Sequence, residues 1–186
     1  MMDGSRQLEI VVPMVSEIIG NIRPDQLQNG TSCRGWAVRD VLEHMVGGAT
    51  TFAFLLRGEA APDLSRRDLL GDDPGRAFDE AVGAFGTAAA LPGSLDRTIA
   101  SPVGEMSGSD FLRFVALDGL IHASDLATAT DQPFTPPDEL VAEIDVFAHD
   151  AITPSARGDD SFAAEVDPPA GGDPLQRLLA FSGRRP

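Results

Sequence analysis

Apolar residues recur at three- and four-residue spacing through five separate stretches of this chain, and that period leaves a bundle of helices as the fold. The first stretch, about 5–22, carries Leu8, Val11, Val12, Val15, Ile18 and Ile19 as one stripe. Pro13 conflicts with it, because a proline inside a helix costs about 3 kcal/mol, so the helix bends there or starts later. A second helix is predicted over about 37–56, with Val38, Val41, Leu42, Met45 and Val46 in period and Arg57-Gly58 ending it. A third covers about 74–91, with Pro74 in its first turn and Phe78, Val82, Phe85 and Ala89 facing the core. The fourth runs over about 109–130, with Ser107 or Ser109 as cap, and the fifth over about 137–152.

The remainder connects these helices. Residues 21–34 hold Pro24, Asn29-Gly30, Thr31 and Ser32 and read as a loop; 59–73 is a polar connection. Arg97-Thr98-Ile99-Ala100 is a β-like run inside the glycine- and proline-rich stretch 92–108 and predicts a strand or an irregular excursion. Phe162 to Val166 reads as a short strand, and Leu175, Leu178, Leu179 and Phe181 as a short last helix. We expect one mainly α domain over 1–186, with a bundle core at about 5–155 and a C-terminal extension at about 156–186.

Charge and composition narrow the function. The formal net charge of −15 repels phosphate backbones, so no nucleic-acid partner is expected. All fourteen basic residues are arginines, and a chain without lysine has no Schiff-base chemistry and no P-loop. No apolar run approaches the roughly 20 residues that span a bilayer, and the N-terminus lacks the pattern of a signal peptide. The single cysteine, Cys33, forms no internal disulfide, which suits a reducing cytoplasm. Monomer and homodimer both remain open.

Only three histidines occur, so each can be weighed. Asp118 and His122 are four residues apart on one helix and therefore project from one face. They can close on one ion, with His44 completing the set from a facing helix. Two imidazoles and a carboxylate suit Zn²⁺, Ni²⁺, Fe²⁺ or Mn²⁺, with positions left for water or substrate. The same residues can instead be an i,i+4 ion pair and a satisfied core histidine. His149, four residues after Asp145, repeats the spacing and is read as a solvated helix residue.

Several segments resemble one family. Gly35-Trp36-Ala37-Val38-Arg39-Asp40-Val41-Leu42-Glu43-His44-Met45-Val46-Gly47-Gly48 is similar to the W-x-V-R-D-L-x-x-H-x-x-G segment of the DinB-like metal-binding helical bundles. Within these, the similarity is to the actinobacterial branch near the N-terminal domain of mycothiol-dependent maleylpyruvate isomerase. The lead-in Arg23-Pro24-Asp25-Gln26-Leu27 with Thr31-Ser32-Cys33, the element Pro102 to Gly108, and the helix Asp118 to Ala127 resemble that group's segments. So does the closing Leu178-Leu179-Ala180-Phe181-Ser182-Gly183-Arg184. The resemblance implies a DinB-like four-helix bundle, with His44, Asp118 and His122 as ligands of a divalent metal, usually zinc. It also implies a small-molecule thiol, mycothiol, as cosubstrate with an electrophile, in a transferase or isomerase reaction.

Two departures bear on that implication. Asp118 stands where the family has glutamate, shortening the reach by one C–C bond, about 1.5 Å. Metal bonds tolerate about 0.2 Å, so the helix shifts, a water bridges or the site weakens. Ser124 stands where the family has tryptophan. A non-catalytic metal- or small-ligand-binding bundle with a degenerate site is therefore the alternative to an enzyme, and no residue stands out as a general base. Among the neighbours, Asp125 is read first as the partner of an arginine such as Arg39 or as the cap of a loop, and otherwise as a residue that orients an imidazole. Trp36 is read as a core anchor rather than a substrate platform, Arg39 with Asp40 as an ion pair, and Cys33 as a buried or incidental thiol.

Overall fold

The computed structural model describes residues 2–101, 103–158 and 162–185. Among the described residues there are six α-helices: α1 (Gly4–Gly20), α2 (Val38–Arg57), α3 (Pro74–Ala89), α4 (Gly108–Thr130), α5 (Asp138–Ala151) and α6 (Pro174–Phe181). One hairpin, β1 (Thr98–Ser101) with β2 (Gly104–Ser107), precedes α4. The architecture is mainly α, as the periodicity predicts. None of the described helices is long and apolar enough to cross a membrane.

Local chemistry sets the helix starts. Asp3 accepts the Arg6 N–H ahead of α1, Asp73 caps α3 with Pro74 in the first turn, and Ser107 accepts the Asp110 N–H ahead of α4. At α2, Asp40 accepts the Ala37 N–H instead of pairing with Arg39. Arg39 pairs with Glu43 and Asp68, which corrects the expected Arg39–Asp40 pair. Gly58, left-handed at φ 75°, closes α2. Pro13 lies within an unbroken α1. Its ring faces solvent, as does Glu9, whose carbonyl loses its helical donor there, so water can satisfy it.

α1 packs on α4 and α2 on α3, while α1 also touches α3 and α2 touches α4, closing a ring of four helices. α5 lies on the outside of α4, and α6 on α5. Helix α4 is covered on several sides and holds Phe111, Leu117, Leu120, Ile121 and Leu126 in the core. It also buries four polar residues, His122, Ser124, Asp125 and Thr130.

Two connections differ from expectation. The β-like run at 97–100 forms one strand of a hairpin, in register Thr98 with Ser107 and Ile99 with Met106. The second strand had no sequence signal of its own; Pro102, in the same motif, lies outside the described residues. The C-terminal strand expected at 162–166 is short: a parallel bridge joins Arg157 and Phe162, and the Val166 N–H then donates to the Ala180 carbonyl.

Candidate metal centre

α4 presents Asp118, His122 and Asp125 at spacings of four and three, so all three share one face. α2 brings His44 to that face. His44, Asp118 and His122 each offer a ligand atom, and these atoms lie within 4.8 Å of one another. The Asp118 carboxylate lies between the two rings: Oδ2 is 3.3 Å from His44 Nε2, and Oδ1 is 3.5 Å from His122 Nε2. The imidazoles meet edge to face, with centroids 4.8 Å apart.

The site grades from open to closed. The His44 side chain is 38% exposed and Asp118 24%, whereas His122 is 5% and Asp125 1%. An ion here would be reached from the His44 side and backed by protein on the His122 side. On that closed side, His122 Nδ1 lies 3.0 Å from Asp125 Oδ2. Donation of the Nδ1 proton to that carboxylate leaves Nε2 facing Asp118. Asp125 in turn accepts from Arg184 Nη2 at 3.2 Å.

Asp125 thus has two of the roles weighed from the sequence: it pairs with an arginine and it holds an imidazole. The arginine is Arg184, not Arg39. The backbone explains how Arg184 arrives. α6 is followed by Gly183 at φ 89°, and the Arg184 N–H donates to the Leu179 carbonyl, turning the chain back toward α4.

A second wall comes from the lead-in to α2. Gln26 Nε2 and Asn29 Nδ2 donate to the carbonyls of Thr130 and Ala129, which ties this loop to the C-terminal end of α4. The Trp36 N–H donates to the Cys33 carbonyl, and Thr31 Oγ1 donates to that of Trp36. So held, the half-buried indole lies nearly parallel to the His122 ring (centroids 6.1 Å, planes 9° apart) and tilted against His44 at 5.2 Å. Trp36 anchors the loop, as expected, and also walls the histidine pair, which sequence reasoning missed.

The electrostatics follow from this packing. Burial pushes the Asp118 carboxyl up, but the His122 imidazole and the hydrogen bonds from both histidines outweigh it and hold the group well below the usual carboxylate range. Burial pushes His122 down; the charge and hydrogen bond of Asp118, helped by Asp125, reverse this and raise it to about 9. Asp125 is likewise lowered against its burial, by His122 and Arg184. Burial pushes the Cys33 thiol up, with Arg184 opposing and Asp125 and Asp118 reinforcing the rise. Cys33 is not in the converging set. His149 stands apart on α5, more than half exposed, paired with Asp145 at 3.7 Å and packed on Phe181.

These residues fit a divalent cation. With Nδ1–H given to Asp125, neutral His122 turns a lone pair toward a carboxylate that also faces His44, an arrangement that asks for a proton or a metal ion between the groups. Two neutral nitrogens and one carboxylate oxygen match the donors of open zinc sites.

Comparison with known proteins agrees with the resemblance read from the motifs. Residues 15–127 match the family described as the mycothiol maleylpyruvate isomerase N-terminal domain. Two uncharacterized proteins of Mycobacterium tuberculosis, one from strain CDC 1551 / Oshkosh and one from strain H37Rv, are each 34% identical over 175 residues, covering 90% of this chain and 90% of the relative. No solved structure matches the chain.

Proposed function

Because the chain belongs to the mycothiol maleylpyruvate isomerase N-terminal domain family, we propose that it binds a divalent metal through His44, Asp118 and His122 and acts as a thiol-dependent transferase or isomerase. Zinc is the ion that best suits the donors, with nickel, iron or manganese as other candidates. Mycothiol, from the family's name, is the candidate thiol. The observation that supports this reading most is the Asp118 carboxylate held between two imidazole nitrogens, 3.3 Å from one and 3.5 Å from the other.

When bound, such an ion lowers the pKa of a coordinated thiol, so that the sulfur is a thiolate near neutral pH. The chain's own residues prepare the place. Asp118 contributes one negative charge beside two neutral rings. Asp125 holds the Nδ1 proton of His122 and keeps Nε2 turned inward. Arg184 offsets the buried charge of Asp125. Trp36 lies beside both imidazoles and walls one side of the pair. Burial raises the Cys33 thiol, which disfavours its thiolate, and Cys33 lies outside the converging set of ligands. In this reading the sulfur that bonds to the electrophile is the cosubstrate's: its S–H proton passes to solvent, and the electrophile's leaving group or π bond takes the displaced electron pair. A small-molecule thiol also suits a reducing cytoplasm.

A non-catalytic metal- or small-ligand-binding role is the second reading, favoured by the shorter Asp118 and by Ser124 in the family's tryptophan position. Metal analysis of protein purified without added metal, followed by thiol-consumption assays over a panel of electrophiles, separates the two. Stoichiometric metal with turnover supports the enzyme. Metal without turnover across the panel supports the binding protein. A metal-free protein whose stability is indifferent to chelator contradicts both.

A further inference from the structure

Inside the ring of α1–α4 runs a cleft lined at one end by the partly exposed His44 and Asp118, which we read as its mouth. Its walls are apolar and include Val12, Met45, Phe52, Val82 and Val115. The spacing makes it continuous with the candidate metal centre. Gly48 lies one turn beyond His44 on α2, and Val115 and Gly119 lie three before and one after Asp118 on α4. Both glycines line the cleft. A methyl group at Gly48 would meet only the Phe52 ring, at 3.5 Å, and one at Gly119 the Val11 side chain, at 3.2 Å.

The free volume is about 40 Å³, on a scale where one enclosed water takes roughly 10–15 Å³. That is room for a narrow chain of about three or four heavy atoms. Among the described residues, the only ionisable side chains lining the cleft are His44 and Asp118, both at that end. Arg184, the cation beside the cluster, is engaged by Asp125. Nothing inside would compensate a carboxylate, and an unpaired charge in an apolar cleft is strongly disfavoured.

We propose that this cleft receives the uncharged tail of the electrophile, so that the substrate is a small molecule with its reacting group at one end and a short, unbranched apolar chain at the other. This rests on the metal reading of the mouth. It also separates the chain from an enzyme whose substrate carries a carboxylate at each end: one anionic head can lie at a cation held by His44, Asp118 and His122, but a second carboxylate has no partner within.

Alkyl hydroxamates test this on the zinc-loaded full chain, because their heads bind metal and their tails vary. Calorimetric affinity should rise about fourfold per methylene from acetohydroxamate to pentanohydroxamate and then level off as the cleft fills. Succinic monohydroxamate, with a carboxylate ending its tail, should bind at least tenfold more weakly than butanohydroxamate. Val115→Phe should flatten the series at unchanged zinc content. Gly48→Ala, which adds one methyl group in ordinary van der Waals contact with the Phe52 ring, should shorten the optimum by about one carbon and guards against misfolding of the larger variant. In parallel, 1-butanol should shift the Val12 and Val115 methyl resonances of metal-free protein.

Affinity independent of tail length, or equal binding of the carboxylate-ended compound, with zinc bound stoichiometrically, overturns the cleft proposal and leaves the metal site standing. Failure to take up zinc, with the methyl shifts present, overturns the metal reading and the assignment of the mouth as the reacting end.

Discussion

At the scale of single residues, the centre is a chain of four charges: Asp118, His122, Asp125 and Arg184. Its two ends were unequally legible. Asp118 and His122 are four apart, so helical geometry alone pairs them. His44 needed a facing helix, which the bundle reading offered and the motif resemblance supported. Asp125 and Arg184 are 59 residues apart, and no local pattern links them. We expect Arg184→Met to lower zinc affinity about 10- to 100-fold, the usual effect of losing a partner behind a ligand. It should also destabilise the fold by about 3 kcal/mol, because Asp125 is left buried and less compensated. Zinc titration and urea unfolding of one variant read both.

The pH dependence has a definite sign. His122 is raised to about 9 in the folded protein, so its contribution to metal-free stability is full below about 6.5 and is lost as pH rises through 9. Asp118 is lowered, so its contribution is present above about 4 and is lost as pH falls below that value. Metal-free protein should therefore show a plateau of Tm between about pH 4 and 6.5 and a decline toward 9. Zinc must displace the His122 proton, so apparent zinc affinity should climb by up to tenfold per pH unit until about 9. A flat affinity across that range would contradict the assignment of His122 as a ligand.

At the scale of elements, α4 explains why the site exists and why its surroundings were harder to read. Over residues 120–127, α4 is buried on every side, so His122 and Asp125 have no solvated face there and pair internally. The loop ahead of α2 read only as turn chemistry, yet Gln26 and Asn29 fasten it to the last carbonyls of α4 and thereby set Trp36 against His122. The second hairpin strand, Gly-Glu-Met-Ser, has no alternation to betray it; pairing with β1 makes it a strand. Gly183 holds the tail's return. It combines φ 89° with a site where a Cβ would come within 2.7 Å of that of Ala163. Gly183→Ala should cost about 1–3 kcal/mol and weaken zinc binding in the same direction as loss of Arg184. Gly93→Ala, at φ 77° but with no neighbour near its Cβ, supplies the control for backbone strain alone; its zinc affinity should be unchanged.

At the scale of the molecule, helical periodicity in five stretches led to a four-helix ring with two added helices, because burial of one stripe per helix is the term that dominates the fold. Among the described residues only Leu91 and Val146 are large exposed hydrophobics, on separate parts of the chain. With no extended apolar face to cover, light scattering should return a monomer.

The claim on which the rest depends is convergence on a cation. A crystal structure of protein grown with zinc, with anomalous differences collected above and below the zinc edge, tests it most directly. The account predicts one strong peak bonded to His44 Nε2, His122 Nε2 and an Asp118 oxygen, each at about 2.0–2.2 Å. A map without a peak among those three side chains, or with its peak elsewhere, would contradict it.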